Sequence, residues 1–123
     1  MYSKTLIEHF KNPKHVGEMK NPDGVGEEGN MRCGDIMKIF IKVKKDVIVD
    51  ISFLTYGCMA AIAASDMMCE MAKGKKLDDA MKISYKEIVN HLGEMPKIKY
   101  HCSVLGTQAL KNAIKNYRKN ENK

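Results

Sequence analysis

Between residues 36 and 72 the spacing of apolar side chains changes period once, and that change limits the folds open to the chain. Met37, Ile39, Ile41 and Val43 alternate with Lys38, Phe40, Lys42 and Lys44, and Val47, Val49, Ile51 and Phe53 then alternate with Ile48, Asp50 and Ser52. Alternation with period two marks strands with one buried face, and two such runs around Lys45-Asp46 predict an antiparallel hairpin. The turn lacks the glycine that tight hairpins favour. After Tyr56-Gly57-Cys58 the period becomes helical. Met59 to Ala72 is rich in alanine and methionine, and Lys73-Gly74 closes the run. A hairpin feeding directly into a helix excludes all-helical and all-strand folds.

The flanking segments read in the same way. Leu6, Ile7 and Phe10 follow Ser3 at helical spacing and predict a short helix over 4–10, stopped at Asn12-Pro13. Residues 11–35, rich in glycine, asparagine and charge, predict mobile loops with room for one short edge strand. A short helix is expected over 77–82, and Ser84 with Glu87 makes a capping box for a helix over 85–92 that Gly93 ends. Residues 95–100 should be extended. A last helix runs from about Ser103 to Lys119 and buries Leu105, Ala109, Leu110, Ala113, Ile114 and Tyr117. The expected fold is α+β: a small antiparallel sheet of about three strands packed against a cluster of helices, with a flexible N-terminal segment. At 123 residues this makes one domain, 1–123.

The chain carries a formal charge of +6, which raises nucleic acid as a partner. Residues 1–96 are neutral, however, and the whole excess lies in 97–123, where seven basic residues face Glu121. A local basic end without interleaved aromatics is not a nucleic-acid face. Lys111, Lys115 and Arg118 share one side of the last helix, which suits either a solvated face or a docking strip for an acidic partner. The amino terminus lacks the apolar run of a signal peptide and no stretch could span a bilayer, so a cytoplasmic protein without a membrane association is expected.

In a reducing compartment unpaired cysteines are core fillers, metal ligands or nucleophiles. Cys33, Cys58, Cys69 and Cys102 are separated by 25, 11 and 33 residues. Cys33 lies in a loop before a strand, while Cys58 and Cys102 open helices, where the amide termini favour thiolate. Cys69 is about three turns from Cys58, roughly 16 Å along the helix, and its neighbours Met67, Met68, Met71 and Ala72 mark it as core. Asp35 is two residues from Cys33, on the same side of an extended chain, and His101 adjoins Cys102. Three thiolates with one carboxylate or imidazole complete a four-coordinate site for zinc or the irons of a small cluster. His9, His15 and His91 have no cysteine nearby and read as surface or packing residues.

At these positions the sequence resembles the IscU-type iron–sulfur cluster assembly scaffolds, a family that includes the amino-terminal part of NifU-type proteins. The resemblance rests on residues 9–17 (His9-Phe10-Lys11-Asn12-Pro13-Lys14-His15-Val16-Gly17), on Cys33-Gly34-Asp35, on Thr55-Tyr56-Gly57-Cys58 with 60–65 after it, on 73–77 and on His101-Cys102-Ser103-Val104-Leu105. It implies a scaffold that builds a [2Fe-2S] cluster on Cys33, Cys58 and Cys102, with Asp35 or His101 completing the set. It further implies sulfur delivered by a cysteine desulfurase as a persulfide on Cys102, electrons from a ferredoxin-type donor, iron as the metal, zinc as an alternative occupant, and apo iron–sulfur proteins as acceptors. The cluster is held by one chain or shared by a homodimer.

One segment departs from the family pattern. Bacterial members carry Leu-Pro-Pro-Val-Lys, read by a dedicated chaperone, where this chain has Met95-Pro96-Lys97-Ile98-Lys99. The lysine in place of the second proline counts against that recognition. A zinc-binding structural domain using the same ligands is the main rival to a scaffold. A thiol enzyme with Cys102 as nucleophile and His101 as base is disfavoured, because adjacent side chains on a helix do not face each other.

Overall fold

The computed structural model describes residues 4–30, 35–56, 59–93 and 100–121. In chain order these form α1 (Lys4–Lys11), β1 (Gly24–Asn30), β2 (Asp35–Lys44), β3 (Val47–Tyr56), α2 (Met59–Ala72), α3 (Leu77–Ala80), α4 (Tyr85–Leu92) and α5 (Tyr100–Glu121). The strands make one antiparallel sheet in the order β1-β2-β3. The helices pack on one face of it, so the architecture is the α+β arrangement expected. Met37, Ile39, Ile41 and Phe53 from the sheet meet Leu6, Met68, Leu92, Leu110 and Ile114 from the helices in a single core.

The hairpin forms without glycine because both turn residues adopt positive φ, 54° at Lys45 and 62° at Asp46. Two positive φ values give the primed turn whose twist matches the strands. Aspartate tolerates that region, and for Lys45 it costs about 1 kcal/mol. The buried face of β3 differs from the simple alternation. Ile51 and Phe53 are in the core, but Val49 is 45% exposed and Ile48 is fully buried. The register slips there, with Lys42 opposite Asp50 and Val43 opposite Ile48, so Val49 is the extra residue of a β-bulge that inverts the alternation.

Two further boundaries differ from expectation. The short edge strand expected within 11–35 is the seven-residue strand 24–30, longer than its composition, Gly-Val-Gly-Glu-Glu-Gly-Asn, suggests. Tyr100 and His101 are already helical, so α5 starts three residues before Ser103, while residues 94–99, expected to be extended, lie outside the described residues. Tyr117 is half-buried rather than core. The fourth helix follows the reading, since Ser84 Oγ accepts from the Glu87 amide and Gly93 closes the helix at φ 91°.

Residues 12–23 are fastened at several points. Gly17 N donates to Phe53 O and Phe53 N to His15 O, both at 2.9 Å, which lays residues 15–17 along the outer edge of β3. At the other end of the segment Asp23 N donates to Ile41 O at 2.8 Å, and Asp23 Oδ2 accepts from Val43 N at 2.8 Å. Phe40 alternates with the core residues Ile39 and Ile41 and is only 3% exposed, with Lys38 Nζ 5.5 Å from its ring centroid.

Candidate functional site

The position of α5 on the sheet is set by β1. A Cβ at Gly26 would overlap the carbonyl oxygen of Ala109 and the backbone of Ala113, and one at Gly24 would lie 2.5 Å from Ala113 O. Glycine is required at both positions because the helix axis comes that close. Two asparagines of α5 then bond to the edge carbonyls of β1. Asn116 Nδ2 donates to Val25 O at 2.6 Å and Asn112 Nδ2 to Glu27 O at 3.0 Å. These bonds occupy acceptors that an open edge would offer to another strand.

The same bonds set the direction. Four residues back along α5, about 6 Å, match two residues forward along β1, about 6.8 Å. The helix therefore runs antiparallel to the strand, and its first turn reaches the level of the connection that follows Asn30. Asn30 pairs with Asp35 and Ile36 with Tyr56, so β1 ends, β2 begins and β3 ends at one edge of the sheet. The helix α2 starts there too, at Met59.

The described elements that flank the candidate ligands Cys33, Asp35, Cys58, His101 and Cys102 start or finish at this end. Asp35 is the first residue of β2, and His101 and Cys102 are the second and third of α5. Their side chains lie outside the described residues, as do Cys33, in the 31–34 connection, and Cys58, between Tyr56 and Met59. The amino termini of α2 and α5 are both directed to this end, and the unpaired amides of a helix start suit an anionic group. Among the described residues no group of three or more His, Cys, Asp or Glu could hold a metal.

Cys69 is fully buried and unpaired. Burial pushes its thiol well above the usual thiol range, and the nearby Asp66 carboxylate adds to the effect. It is a core residue, as its neighbours implied.

The sequence reading missed a second polar group. Asp66 is wholly buried in α2, where it accepts from His9 Nδ1 at 2.6 Å, from Lys14 N at 2.8 Å and from His15 N at 2.9 Å. His9 Nε2 lies 3.6 Å from Glu70 Oε2, and Glu8, Asn12 and Lys14 complete the lining of a cleft of about 180 Å³. The available signal was an aspartate inside an otherwise alanine- and methionine-rich helix. His91 is exposed, its Nδ1 2.8 Å from Glu87 O.

The basic strip on α5 is divided. Arg118 bonds to Asp78 Oδ1 at 2.6 Å and holds that carboxyl below the usual range, which fastens α5 to α3. Lys115 remains exposed. Both are at the far end of α5, about 20 Å along the axis from Cys102. Among the described residues no helix is long and apolar enough to cross a membrane.

Residues 1–123 match the family described as the NifU-like N terminal domain. The chain belongs to that family. It is 52% identical over 121 residues to "Iron-sulfur cluster assembly scaffold protein IscU 1" of Archaeoglobus fulgidus, covering 98% of this chain and 79% of the relative. The Aquifex aeolicus protein named as an IscU scaffold is 46% identical, with 94% and 75% covered. The "Nitrogen fixation protein NifU" of Azotobacter chroococcum is 45% identical over 98% of this chain, which spans 40% of that longer protein. The crystal structure of a putative SUF-system scaffold from Fervidobacterium islandicum superposes with a TM-score of 0.77 at 25% identity, covering 92% of this chain and 96% of the other.

Proposed function

We propose that this protein is a scaffold on which iron–sulfur clusters are assembled and from which they are passed on. One observation carries the reading: the segments bearing Cys33, Asp35, Cys58 and Cys102 all start or finish at one end of the sheet, in a chain 52% identical to a protein named as such a scaffold. The cluster is cargo, a [2Fe-2S] unit held by the three cysteines with Asp35 as the fourth ligand. Asp35 is favoured over His101 because it is two residues from Cys33, and residues i and i+2 of an extended chain stand on the same side.

Sulfur enters by attack of the Cys102 thiolate on the outer sulfur of a desulfurase persulfide, with the desulfurase thiolate leaving. That sulfur is then reduced to sulfide by two electrons from a ferredoxin-type donor. A carboxylate is a harder and weaker partner for iron than a thiolate. With Asp35 in the set the cluster is bound firmly enough to form and loosely enough to leave for an apo-protein.

The test is transfer. Protein loaded under anaerobic conditions is mixed with an apo-ferredoxin, and the acceptor's visible absorption is followed. A scaffold loses its cluster as the acceptor gains one. A zinc-binding structural domain using the same ligands would acquire no transferable cluster and would retain zinc.

A further inference from the structure

We propose that the end of the molecule opposite the candidate site is a docking surface for an acidic polypeptide segment. The lysines that form it come from two stretches that backbone bonds hold side by side. Gly74 N donates to Ile48 O at 2.8 Å, Ile48 N to Lys75 O at 2.9 Å and Leu77 N to Asp46 O at 2.9 Å. Lys44 pairs with Val47 in the hairpin and Val47 bridges to Lys76, so Lys44 and Lys76 flank one row about 10 Å apart. Lys45, at the turn, and Lys73 and Lys75, on the return from α2, surround that row, and all five are exposed.

None of the five has an ion pair among the described residues. Of the neighbouring acids, Asp78 is held by Arg118, Asp50 sits across the ladder from Lys42, and Asp46 and Asp79 are too few to balance the lysines. The positive pole is therefore uncompensated, on a backbone fixed by the hairpin. The α5 terminus, with Lys115 and Lys119, reaches the same pole through the Arg118–Asp78 contact. Two basic stretches far apart in sequence thus converge on one end.

The chemistry favours carboxylates over nucleic acid or lipid. The cations are lysines rather than planar arginines suited to phosphate. The stretches 42–50 and 73–82 contain no aromatic residue on which bases could stack. Val49 is the sole exposed large apolar residue recorded there, too little to enter a bilayer. Carboxylates on alternate residues of an extended peptide stand about 6.8 Å apart and would fall among these lysines. The ten residues of β2 put this surface about 30 Å from Asp35, so a bound partner leaves the candidate site open. The inference stands whether or not the site carries a cluster.

The experiment titrates the full chain with an oligoglutamate of about ten residues at low salt and maps amide shifts by NMR, with an oligothymidylate of equal length and vesicles of phosphatidylcholine and phosphatidylglycerol alongside. Shifts are expected at 44–47 and 73–77. Joint Lys44→Gln, Lys45→Gln, Lys75→Gln and Lys76→Gln substitution should weaken binding about tenfold, and the four Lys→Arg changes should restore it, with added salt abolishing it in every case. Thermal unfolding of each variant should match the parent. Shifts centred on Lys111 or the candidate site, undiminished affinity in the glutamine variant, or tighter binding to thymidylate or vesicles would each overturn the proposal.

Discussion

The imidazole of His9 in α1 donates through Nδ1 to the buried carboxylate of Asp66 in α2, 2.6 Å away and 57 residues later in sequence. The same carboxylate accepts from the amides of Lys14 and His15. One side chain thus ends α1, turns the chain after Pro13 and directs it to the edge of β3. A buried carboxylate is tolerable only because its acceptor sites are filled. Asp66→Ala removes both acceptor oxygens and leaves the Lys14 and His15 amides without their partner. It should lower stability by about 1–3 kcal/mol and raise hydrogen exchange at Lys14 and His15. Unchanged exchange at both amides would show that the segment is held by something else.

Gly26, under α5, and Gly106, facing Met68 of α2, give two glycine substitutions with contrasting outcomes. Gly26→Ala drives a methyl group into the backbone of Ala109 and Ala113, which has no rotamer with which to yield. A loss of at least about 2 kcal/mol is expected, with α5 displaced along β1. Among the described residues Gly106→Ala meets the Met68 side chain alone, at 3.4 Å, within a helix where alanine is favoured by up to about 1 kcal/mol. It should be neutral or stabilising. Urea unfolding of the two variants side by side tests the contrast, and equal losses would contradict the close approach.

Cys69 makes a prediction about alkaline pH. Its thiol is raised in the folded state, so its contribution to stability is complete below the ordinary thiol value of 9.0 and declines as pH rises above it. The decline approaches about 1.4 kcal/mol per pH unit while only the unfolded thiol ionises. Cys69→Ala should remove that part of the slope, seen as a smaller fall in urea midpoint between about pH 8.5 and pH 10. In the native protein iodoacetamide should leave Cys69 unmodified, and its rapid alkylation would refute the burial.

Asp35→Ala addresses the lability of the cargo. Replacing the weak carboxylate ligand should lengthen the lifetime of an assembled cluster against a chelator or an apo acceptor. Loss as fast as in the parent protein would remove Asp35 from the release step.

These results separate what local pattern encodes from what it does not. The helix Met59–Ala72 and the cap at Ser84 were legible because propensity and capping act within a few residues. The edge strand expected within residues 11–35 is Gly24–Asn30, but its bounds and its glycines were not legible, since they answer to a helix more than eighty residues away. The bulge at Val49 inverted the expected faces of Val47, Ile48 and Val49 for a similar reason: register belongs to the pair of strands and not to one of them. The candidate residues read as chemistry alone, three cysteines and Asp35 at element ends. It is the antiparallel run of α5 along β1 that brings the elements flanking them to one end of the sheet, and His9 with Asp66 stayed hidden because two elements are required to bring them together.

The most direct measurement is anaerobic reconstitution with ferrous iron, cysteine and a cysteine desulfurase, followed by visible absorption. The parent protein should develop the charge-transfer bands of a [2Fe-2S] cluster, and the variant with Cys33, Cys58 and Cys102 all changed to serine should develop none. No bands in the parent, or bands that survive in the triple variant, would contradict the assignment of this end of the sheet as the place where clusters are built.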